Sequence, residues 1–383
     1  MVDQKRVGLV GLSAKGSWAV AAHLPYLQQS SHYKITALQN SSKASADEAA
    51  KQYSLDGVTT HGNPSSLASD PNVDIVAVSV NVPEHYGLII PALEAGKDVF
   101  SEWPLARNLA DAEKMVQLAK EKGVRTMVGL QARQSPSILK AKEIVSSGKL
   151  GRILSTTLYG HGGLFGPTIV EKLEYLLPIE SGANLVTIPF GHTVDAFCHV
   201  LGEIKDLSAT LVNLRPELQV TDSEGKPLRT VAKSAHDYVS ISGFLVNGGG
   251  VVDVTYAPGY SRTNRDFYWE IIGTEGTLIL DGEGLGGAMA GNIQTFQPTV
   301  KFVKEDHAFR SMGSAVAQKE PEVIYPGKTG ELDFSVGKAW EAWAGAGLDE
   351  GYSVTTFEDA LVRHRMIDAI YRSAKQGTKE NYV

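Results

Sequence analysis

The stretch Arg6-Val7-Gly8-Leu9-Val10-Gly11-Leu12 is typical of a short buried strand that ends in a glycine turn. The residues that follow, Ser13-Ala14-Lys15-Gly16-Ser17-Trp18-Ala19, open a helix. Strand, glycine-rich turn and helix in this order form the cradle that holds a dinucleotide pyrophosphate. Serine stands in place of the middle glycine in Gly11-x-Ser13-x-x-Gly16. By itself, the motif is therefore as compatible with an ordinary strand-to-helix turn as with a cofactor cradle.

The repetition of this pattern along the first third of the chain favours the cradle. Five further apolar segments alternate with helical spacing, and strand and helix alternate about six times, as in a parallel sheet covered by helices. We therefore predict an N-terminal Rossmann domain over residues 1–132, with Gly11, Ser13, Lys15 and Gly16 at the cofactor. The further strands are predicted at Tyr33–Leu38, Gly57–His61, Val73–Val80, Asp98–Ser101 and Val124–Leu130.

The bulk composition excludes several function classes. The chain has 383 residues, which exceeds the ~100–200 residues of a typical domain and predicts two domains. A net charge of −7 argues against direct binding to nucleic acid or to an anionic membrane. No apolar run approaches the ~18–20 residues of a membrane span. Metal-ligand spacing is missing among the histidines, so no metal site is predicted.

The single cysteine, Cys198, excludes an intrachain disulfide and suits a reducing compartment. The first strand begins within about six residues of Met1, which leaves no room for a signal or transit peptide. We therefore expect a cytoplasmic protein, and the sequence leaves import into the nucleus open.

The end of the second strand bears on cofactor choice, because a dinucleotide's adenosine ribose binds there. NAD-preferring sites place an acid at this point. The segment Gln39-Asn40-Ser41-Ser42-Lys43 contains none. Hydroxyls and a lysine suit a 2′-phosphate, so Ser41 and Lys43 favour NADP(H), with NAD(H) as the alternative. Val80, Asn81 and His85 follow the fourth strand and are further cofactor-site candidates, since ligands bind beyond the carboxyl ends of such strands.

Several strings, spread over nearly the whole chain and in the same order, resemble the Gfo/Idh/MocA oxidoreductases. The resemblance extends to the branch of fungal galactose-pathway repressors, in strings such as Ala14-Lys15-Gly16 and Glu102-Trp103. The strings shared with the wider family are Val7–Gly11, Val73–Pro83, Ala95–Val99, Glu102–Pro104, Ser147–Gly151, Gly191–Asp195 and Gly273–Leu278.

The resemblance implies cofactor contacts for Glu102, Trp103 and Gln131. It also implies a departure in the active site, because the family tripeptide Glu-Lys-Pro is Glu102-Trp103-Pro104 here. An indole cannot accept the proton that the family lysine handles. The aspartate that often stands four residues before the family histidine is Ile188. His192 remains as the candidate acid/base.

The second half predicts an α+β domain over residues 133–383, with a large, mostly antiparallel, open-faced sheet. Its predicted strands are separated by short glycine turns and have little helix between them: Leu207–Leu214, His236–Val246, Gly250–Tyr256, Phe267–Gly273 and Thr277–Asp281. The resemblance implies that the free sheet face pairs two subunits into a homodimer. Residues 281–330 give no clear pattern.

A helix over Ser135–Ser147 and a strand over Ile153–Tyr159 open this half, and three further helices and one loop complete it. A helix over Asn184–Leu201 places Asp195 one turn after His192, where it could orient the imidazole. A second spans Leu332–Gly347, and a final helix over about 357–375 is expected to pack back on the first domain through Leu361, Met366, Ile370 and Tyr371. The glycine-rich loop Gly160–Gly166 would shape a substrate pocket, with Tyr159, His161 and Arg133 as candidate contacts to a polyol or sugar-like molecule.

Two functions remain open at this point. The first is an NAD(P)-dependent oxidoreductase that acts on a sugar, cyclitol or similar small alcohol or carbonyl, with His192 as acid/base. The second is a catalytically inactive, NAD(P)-binding transcriptional regulator that binds an activator protein, as the fungal repressors do. The missing lysine favours the regulator, whereas the retained His192 and the compact length favour the enzyme.

Overall fold

The computed structural model describes residues 4–285, 291–305, 320–329 and 332–383. It divides the chain into two units that are not contiguous in sequence. The first comprises Met1–Gln134, Tyr175–Ala183 and Glu331–Arg365, and the second Ser135–Glu174, Asn184–Gly330 and Met366–Val383. The predicted contiguous domains 1–132 and 133–383 therefore differ from these units, because two later segments belong to the first unit.

The first unit contains a six-stranded parallel sheet in the order β3-β2-β1-β4-β5-β6. The strand order reverses between β1 and β4, which is where the crevice of a doubly wound sheet forms. All four residues of β4 are buried, as expected of a strand covered on both faces. The strands are β1 (Lys5–Val10), β2 (Tyr33–Gln39), β3 (Thr59–His61), β4 (Ile75–Val78), β5 (Asp98–Glu102) and β6 (Thr126–Gly129). The predicted Rossmann fold is confirmed.

The α-helices that the structure describes are α1 (Leu24–Gln29), α2 (Lys43–Gln52), α3 (Pro64–Ala68), α4 (His85–Glu94), α5 (Leu109–Lys122), α6 (Pro136–Ser146), α7 (Pro189–Leu201), α8 (Leu332–Trp343) and α9 (Phe357–Gln376). Within these described ranges, no helix combines the length and the apolar character needed to cross a membrane. The helix predicted after the first glycine turn is instead a π-helical segment, Ala19–His23, followed by α1. Pro25 lies in the first turn of α1, directly after the π-helical segment.

Helix α8 supplies part of the core of the first unit. Trp340 packs against Phe100 of β5, with ring centroids 4.6 Å apart, and against Tyr33 of β2 at 4.8 Å. The Tyr33 hydroxyl also donates a hydrogen bond to the Trp340 carbonyl oxygen at 3.0 Å. A segment 307 residues further along the chain therefore completes the packing of the N-terminal sheet.

The second unit is built on an eight-stranded sheet in the order β17-β16-β15-β14-β7-β13-β12-β9. Its neighbours are antiparallel except for β7 and β13, which confirms the predicted mostly antiparallel sheet. A smaller three-stranded sheet, β11-β10-β8, is not among the predicted elements. The strands are β7 (Ile153–Gly162), β8 (Thr168–Val170), β9 (Ile204–Val212), β10 (Glu217–Thr221), β11 (Pro227–Ala232), β12 (Tyr238–Leu245), β13 (Val251–Pro258), β14 (Phe267–Gly273), β15 (Gly276–Asp281), β16 (Thr299–Lys304) and β17 (Glu322–Tyr325).

Helix α7 covers one face of the large sheet. Phe197 stacks on Trp269 of β14 at 5.3 Å, and Phe190 meets the Tyr256 ring of β13 at 6.1 Å. On the opposite face β12 exposes every second residue, among them Tyr238 and Phe244. We call this second surface the open face.

Helix α9 belongs to both units. Its first residues, which include Leu361, belong to the first unit, in which the Phe357 N–H donates to Thr126 Oγ1 at 3.1 Å. Met366, Ile370 and Tyr371 belong to the second unit, which differs from the expectation that they pack on the first domain. A helix of 20 residues is about 30 Å long and can contribute to two cores.

Candidate functional site

The turn after β1 can only be built with glycine at position 11. Gly11 has a φ of +93°, and a Cβ at this position would lie 2.2 Å from the Ser79 carbonyl oxygen. The Gly11 N–H donates to the Gln39 carbonyl oxygen at 3.1 Å, and Ser17 Oγ donates to the Gly11 carbonyl oxygen at 2.9 Å. The end of β1 is thus held tightly against the ends of β2 and β4, and leaves its outer side open to a ligand.

Ser13, which stands in place of the middle glycine, accepts two hydrogen bonds from within the turn. Its Oγ accepts the Lys15 N–H at 3.1 Å, and its carbonyl oxygen accepts the Gly16 N–H at 3.0 Å. Gly16 has a φ of +89°, which suits glycine. Because the hydroxyl acts as acceptor inside the turn, its own proton can still be donated to a phosphate oxygen.

A cavity of about 680 Å³ lies at this turn. Five of the predicted cofactor residues line it, namely Gly11, Ser13, Lys15, Ser41 and Val80. Several other lining residues, from β2, α2 and the start of α4, are not among the predicted ones: Gln39, Asn40, Ser45, Glu48, Glu84 and Leu88. Ser45 and Glu48 are three residues apart, so the sequence alone places them on the same face of a predicted helix.

Gln39 presents a buried polar atom without a partner at this cavity. The side chain is 4% exposed, and its Nε2 donates to the Asn40 carbonyl oxygen at 3.0 Å. A carbonyl oxygen can only accept, so the nitrogen must face Asn40 and Oε1 must face away. In the described residues Oε1 has no hydrogen-bond partner. A buried acceptor beside a glycine turn fits a dinucleotide, whose ribose hydroxyls are donors.

Two of the predicted cofactor residues point elsewhere. Lys43 Nζ binds Asp47 Oδ1 at 3.0 Å and Thr60 Oγ1 at 2.8 Å, and the side chain does not line the cavity. Asn81 is exposed at the start of a short 3₁₀ turn and does not line the cavity either. The expected lysine contact to a 2′-phosphate is therefore not preformed in this structure, in which the Lys43 ammonium group is paired with Asp47.

His85 is a buried link between two loops and not part of the cavity wall. Its Nδ1 lies 2.9 Å from the Pro104 carbonyl oxygen and its Nε2 3.1 Å from the Val80 carbonyl oxygen. Burial lowers the pKa of the imidazole. His85 therefore connects the loop after β4 with the turn after β5 through contacts to their carbonyl oxygens.

Glu102, at the end of β5, is held by a buried network. The Trp340 indole N–H donates to His23 Nδ1 at 3.1 Å, and His23 Nε2 lies 2.5 Å from Glu102 Oε1. Because Nδ1 accepts, Nε2 carries the proton and donates it to the carboxylate. The other carboxylate oxygen approaches Gly129, where a Cβ would lie 2.6 Å from Glu102 Oε2. No local pattern in the sequence indicates that His23 and Trp340 orient this residue.

Trp103 packs against His364 of α9, with ring centroids 4.9 Å apart. Burial, together with the neighbouring His85, lowers the pKa of His364 from 6.5 to about 3, so its imidazole is neutral. The residue at the position of the family lysine, Trp103, is therefore an aromatic side chain packed against a neutral imidazole. Gln131, in the short 3₁₀ turn after β6, is also buried, and its Oε1 has no hydrogen-bond partner among the described residues.

In the second unit, α7 carries His192 and Asp195 at the predicted spacing. Both side chains are buried, at 5% and 0% exposure. His192 lies in the first turn of the helix, where its backbone N–H donates to the Ile188 carbonyl oxygen at 3.0 Å. The structure thus provides an imidazole and a carboxylate on one face of a helix that packs on the large sheet.

Tyr159 and His161 form a pair, but they lie on the opposite face of the sheet from α7. Trp269 and Tyr256, which contact α7, pair with Leu158 and Gly160 of β7. Alternate residues point to opposite faces, so Tyr159 and His161 lie on the open face. His161 Nδ1 bonds the Gly259 carbonyl oxygen at 3.2 Å, and Tyr159 Oη bonds His161 Nε2. The predicted loop from Gly160 is still strand as far as Gly162.

Arg133, the third predicted substrate contact, belongs to the first unit, whereas Tyr159 and His161 belong to the second. Its Nη1 binds Asp359 Oδ1 at 3.2 Å, within the first unit. The pair on the open face is also separated from His192 by the sheet itself. The described part of the chain holds no group of three or more His, Cys, Asp or Glu side chains that could bind a metal ion.

Two protein families match successive parts of the chain. Residues 5–130 match the oxidoreductase family with an NAD-binding Rossmann fold, and residues 136–282 match the Gal80p C-terminal domain. The chain is 35% identical to dehydrogenase aclE of Aspergillus oryzae, over 100% of this chain and 99% of that protein. It is 29% identical to the galactose/lactose metabolism regulatory protein GAL80 of Saccharomyces cerevisiae, over 98% and 94%.

A solved structure gives the same result for the fold. The crystal structure of a super-repressor mutant of Gal80p from Saccharomyces cerevisiae superposes with a TM-score of 0.87 at 28% identity, over 99% of this chain and 98% of that chain. The predicted resemblance is confirmed, and relatives of the chain include both a dehydrogenase and a regulator. The chain belongs to the Gfo/Idh/MocA family of oxidoreductases with an NAD-binding Rossmann fold.

Proposed function

We propose that the protein is a nicotinamide-dependent dehydrogenase of a small hydroxylated molecule, such as a sugar or cyclitol, or of the corresponding carbonyl compound. The observation that carries this proposal is the cavity at Gly11, whose turn and unpartnered Gln39 Oε1 fit a dinucleotide. The whole-length similarity to a dehydrogenase supports the same function.

The protein's own part in the reaction is placement and proton transfer. A bound nicotinamide cofactor supplies hydride transfer. His192 would take the hydroxyl proton from an alcohol, or return it to a carbonyl oxygen, because an imidazole titrates near neutral pH. Asp195, one turn later on α7, would orient it. Glu102, fixed by His23, would hold the amide end of the cofactor through its carboxylate oxygens.

A second function is favoured by one specific observation. Trp103 occupies the place of the family lysine and is packed on a neutral His364, so this position offers no proton acceptor. A cofactor-binding regulator that binds an activator protein needs no such group, and a GAL80 protein is among the relatives. We keep this function as the alternative.

We also propose that two copies pair through the open face into a homodimer. The support is the row of exposed side chains along β12, which includes the aromatic residues Tyr238 and Phe244. Exposed aromatic side chains at a sheet face are typical of subunit contacts.

The test combines nucleotide binding with a turnover screen. NADH and NADPH are titrated by nicotinamide fluorescence, and polyols, aldoses, cyclitols and small carbonyls are then screened by nicotinamide absorbance. We expect binding of a nucleotide and turnover of at least one compound, with kcat reduced at least ~100-fold in His192→Ala. His199→Ala, seven residues further along α7 and less buried, is the matched control and should retain turnover.

The outcomes separate the two functions. Nucleotide binding without turnover of any compound would contradict the dehydrogenase and leave the regulator. Equal turnover in wild type and His192→Ala would contradict the role of His192. Absence of nucleotide binding would contradict both functions.

A further inference from the structure

We infer that the cavity selects NAD(H) over NADP(H) and that Glu48 sets this selectivity. The inference rests on the proposed function, because it assumes that a nicotinamide dinucleotide binds at Gly11. It departs from the sequence-based expectation of NADP(H), which depends on Lys43 and on the absence of an acid directly after β2. The structure supplies an acid from a different element.

Glu48 comes to the cavity from helix α2. Ser45 and Glu48 are three residues apart and therefore share a face of the helix, and both line the cavity together with Ser41. The helix is fixed at its start, because Ser42 Oγ accepts the Ser45 N–H at 3.1 Å in a capping box. The carboxylate is thus carried by an ordered element that follows β2.

Lys43 and Asp47 occupy a neighbouring face of the same helix. Their ion pair, at 3.0 Å, directs the ammonium group toward Thr60 of β3. The cation that the sequence offers for neutralising a 2′-phosphate is therefore paired, in a solvent-exposed arrangement, with an acid of its own helix. Asp47, which directly precedes Glu48, takes no part in lining the cavity.

The charges that do line the cavity are two carboxylates and one ammonium group. Glu48 and Glu84 are the acids, and Lys15, in the turn after β1, is the cation. Lys15 lies beside Ser13, where a pyrophosphate would use it. All residues of this lining belong to the described part of the chain, and none of them provides a second cation for an additional phosphate.

Two hydrogen-bond acceptors lie near the end of β2, beside the hydroxyls of Ser41 and Ser45. Gln39 Oε1 is a buried acceptor without a partner among the described residues, and the Glu48 carboxylate only accepts when ionised. A ribose diol donates two protons, which the two oxygens of the Glu48 carboxylate can accept. A 2′-phosphate brings acceptor oxygens and a charge of about −1.5 to −2, so it meets like charge at the Glu48 carboxylate. The site is therefore complementary to the unphosphorylated ribose.

The experiment measures dissociation constants of NADH and NADPH for the full chain by nicotinamide fluorescence. In wild type we expect NADH to bind at least ~10-fold more tightly, because a hydrogen bond to a charged acceptor is gained and a like-charge contact is avoided. Glu48→Gln should reduce that ratio roughly 3- to 10-fold, mainly by tightening NADPH. Glu94→Gln, an equal change of charge at an exposed position outside the cavity, is the control and should leave the ratio unchanged.

Ionic strength provides an independent readout. The ratio in wild type should shrink as salt is raised, because screening weakens the repulsion of the 2′-phosphate, and the salt effect should be smaller in Glu48→Gln. Tighter binding of NADPH in wild type, or a ratio that Glu48→Gln does not change, would overturn the inference while leaving the proposed function in place. Failure of both nucleotides to bind would overturn the proposed function, and this inference with it.

Discussion

Gly11 decides at the scale of one residue whether the cofactor turn can form. Gly11→Ala would force an L-residue to a φ of +93° and place a Cβ 2.2 Å from the Ser79 carbonyl oxygen. We expect a loss of roughly 2–4 kcal/mol in the free energy of unfolding and loss of NADH binding, since the clash adds to the ~1–2 kcal/mol cost of the left-handed conformation. Urea denaturation and fluorescence titration measure the two effects.

Gly57→Ala is the matched control for this prediction. Gly57 has a φ of +75°, but no atom lies within 4 Å of the place that a Cβ would occupy. It should therefore lose only about 1–2 kcal/mol and keep nucleotide binding. Equal losses in the two variants would contradict the close approach of Gly11 to the residues after β4.

The network around Glu102 gives a second prediction at this scale. His23→Leu leaves a buried carboxylate and the Trp340 indole N–H without their partner, so we expect a loss of roughly 3 kcal/mol in the free energy of unfolding. In the double variant His23→Leu/Glu102→Leu the unpaired charge is gone, and stability should recover in part. Additive losses in this double-mutant cycle, measured by urea denaturation, would argue against the hydrogen bond.

The residues of the site are predictable where local sequence determines them. Gly11, Ser13 and Lys15 belong to one turn, and their proximity follows from the motif. Glu48 shares helical spacing with Ser45, but the spacing alone does not tell which face of α2 meets the cavity, because that depends on how α2 is rotated and capped. Lys43 is assigned to the cofactor from sequence because its competing partners, Asp47 and Thr60, become neighbours only after α2 has folded beside β3.

At the scale of elements, the contact of α9 with the turn after β5 makes stability depend on pH. The folded pKa of His364 is about 3, below its ordinary value of 6.5. Below pH ~6.5 the unfolded chain therefore takes up a proton that the folded chain does not bind. The stabilising contribution is complete above pH ~6.5 and decreases as the pH falls toward 3, by up to ~1.4 kcal/mol per pH unit.

His364→Phe should remove most of this dependence. Its free energy of unfolding, measured by urea denaturation between pH ~6.5 and ~4.5, should have a shallower slope than that of wild type, although His85, whose pKa burial also lowers, retains a part. Leu361→Met, a substitution in α9 that involves no titratable group, is the control and should keep the wild-type slope. An unchanged slope in His364→Phe would contradict the burial of a neutral imidazole.

Elements are predictable where apolar residues recur with a clear period and less so elsewhere. Strand β12 alternates buried and exposed residues along its whole length, and its prediction agrees with the structure to within two residues. Strand β11 is exposed at nearly every position, so it offers no alternation to detect. The π-helical segment at Ala19–His23 also has no distinct sequence pattern, because it differs from an α-helix only in its hydrogen-bond register.

At the scale of the whole molecule, the proposed homodimer can be tested on the open face. Ser242 is exposed near the middle of β12, and Ser242→Arg would bury a charge if that face is an interface. We expect wild type to sediment as a dimer and the variant to dissociate at micromolar concentration. Glu224→Arg, in the exposed turn between β10 and β11, is the control. A monomeric wild type would contradict the proposal.

The division into units is the part of the fold least accessible to sequence. The change from alternating strand and helix to successive strands indicates a boundary near residue 133, and the first segment of the first unit ends at Gln134. The return of Tyr175–Ala183 and Glu331–Arg365 to the first unit depends on long-range packing, such as that of Trp340 on Phe100, which no local pattern encodes.

The position of Trp340 in the N-terminal core has a consequence for how the protein is made. A ribosome releases all six strands of the first sheet, the last ending at Gly129, long before it releases the side chain that donates to His23. Until then His23 Nδ1 lacks the indole N–H that it accepts in the complete chain. The nascent cofactor domain is thus incomplete for most of synthesis, and the nucleotide-binding fold should mature only after the C-terminal helices emerge.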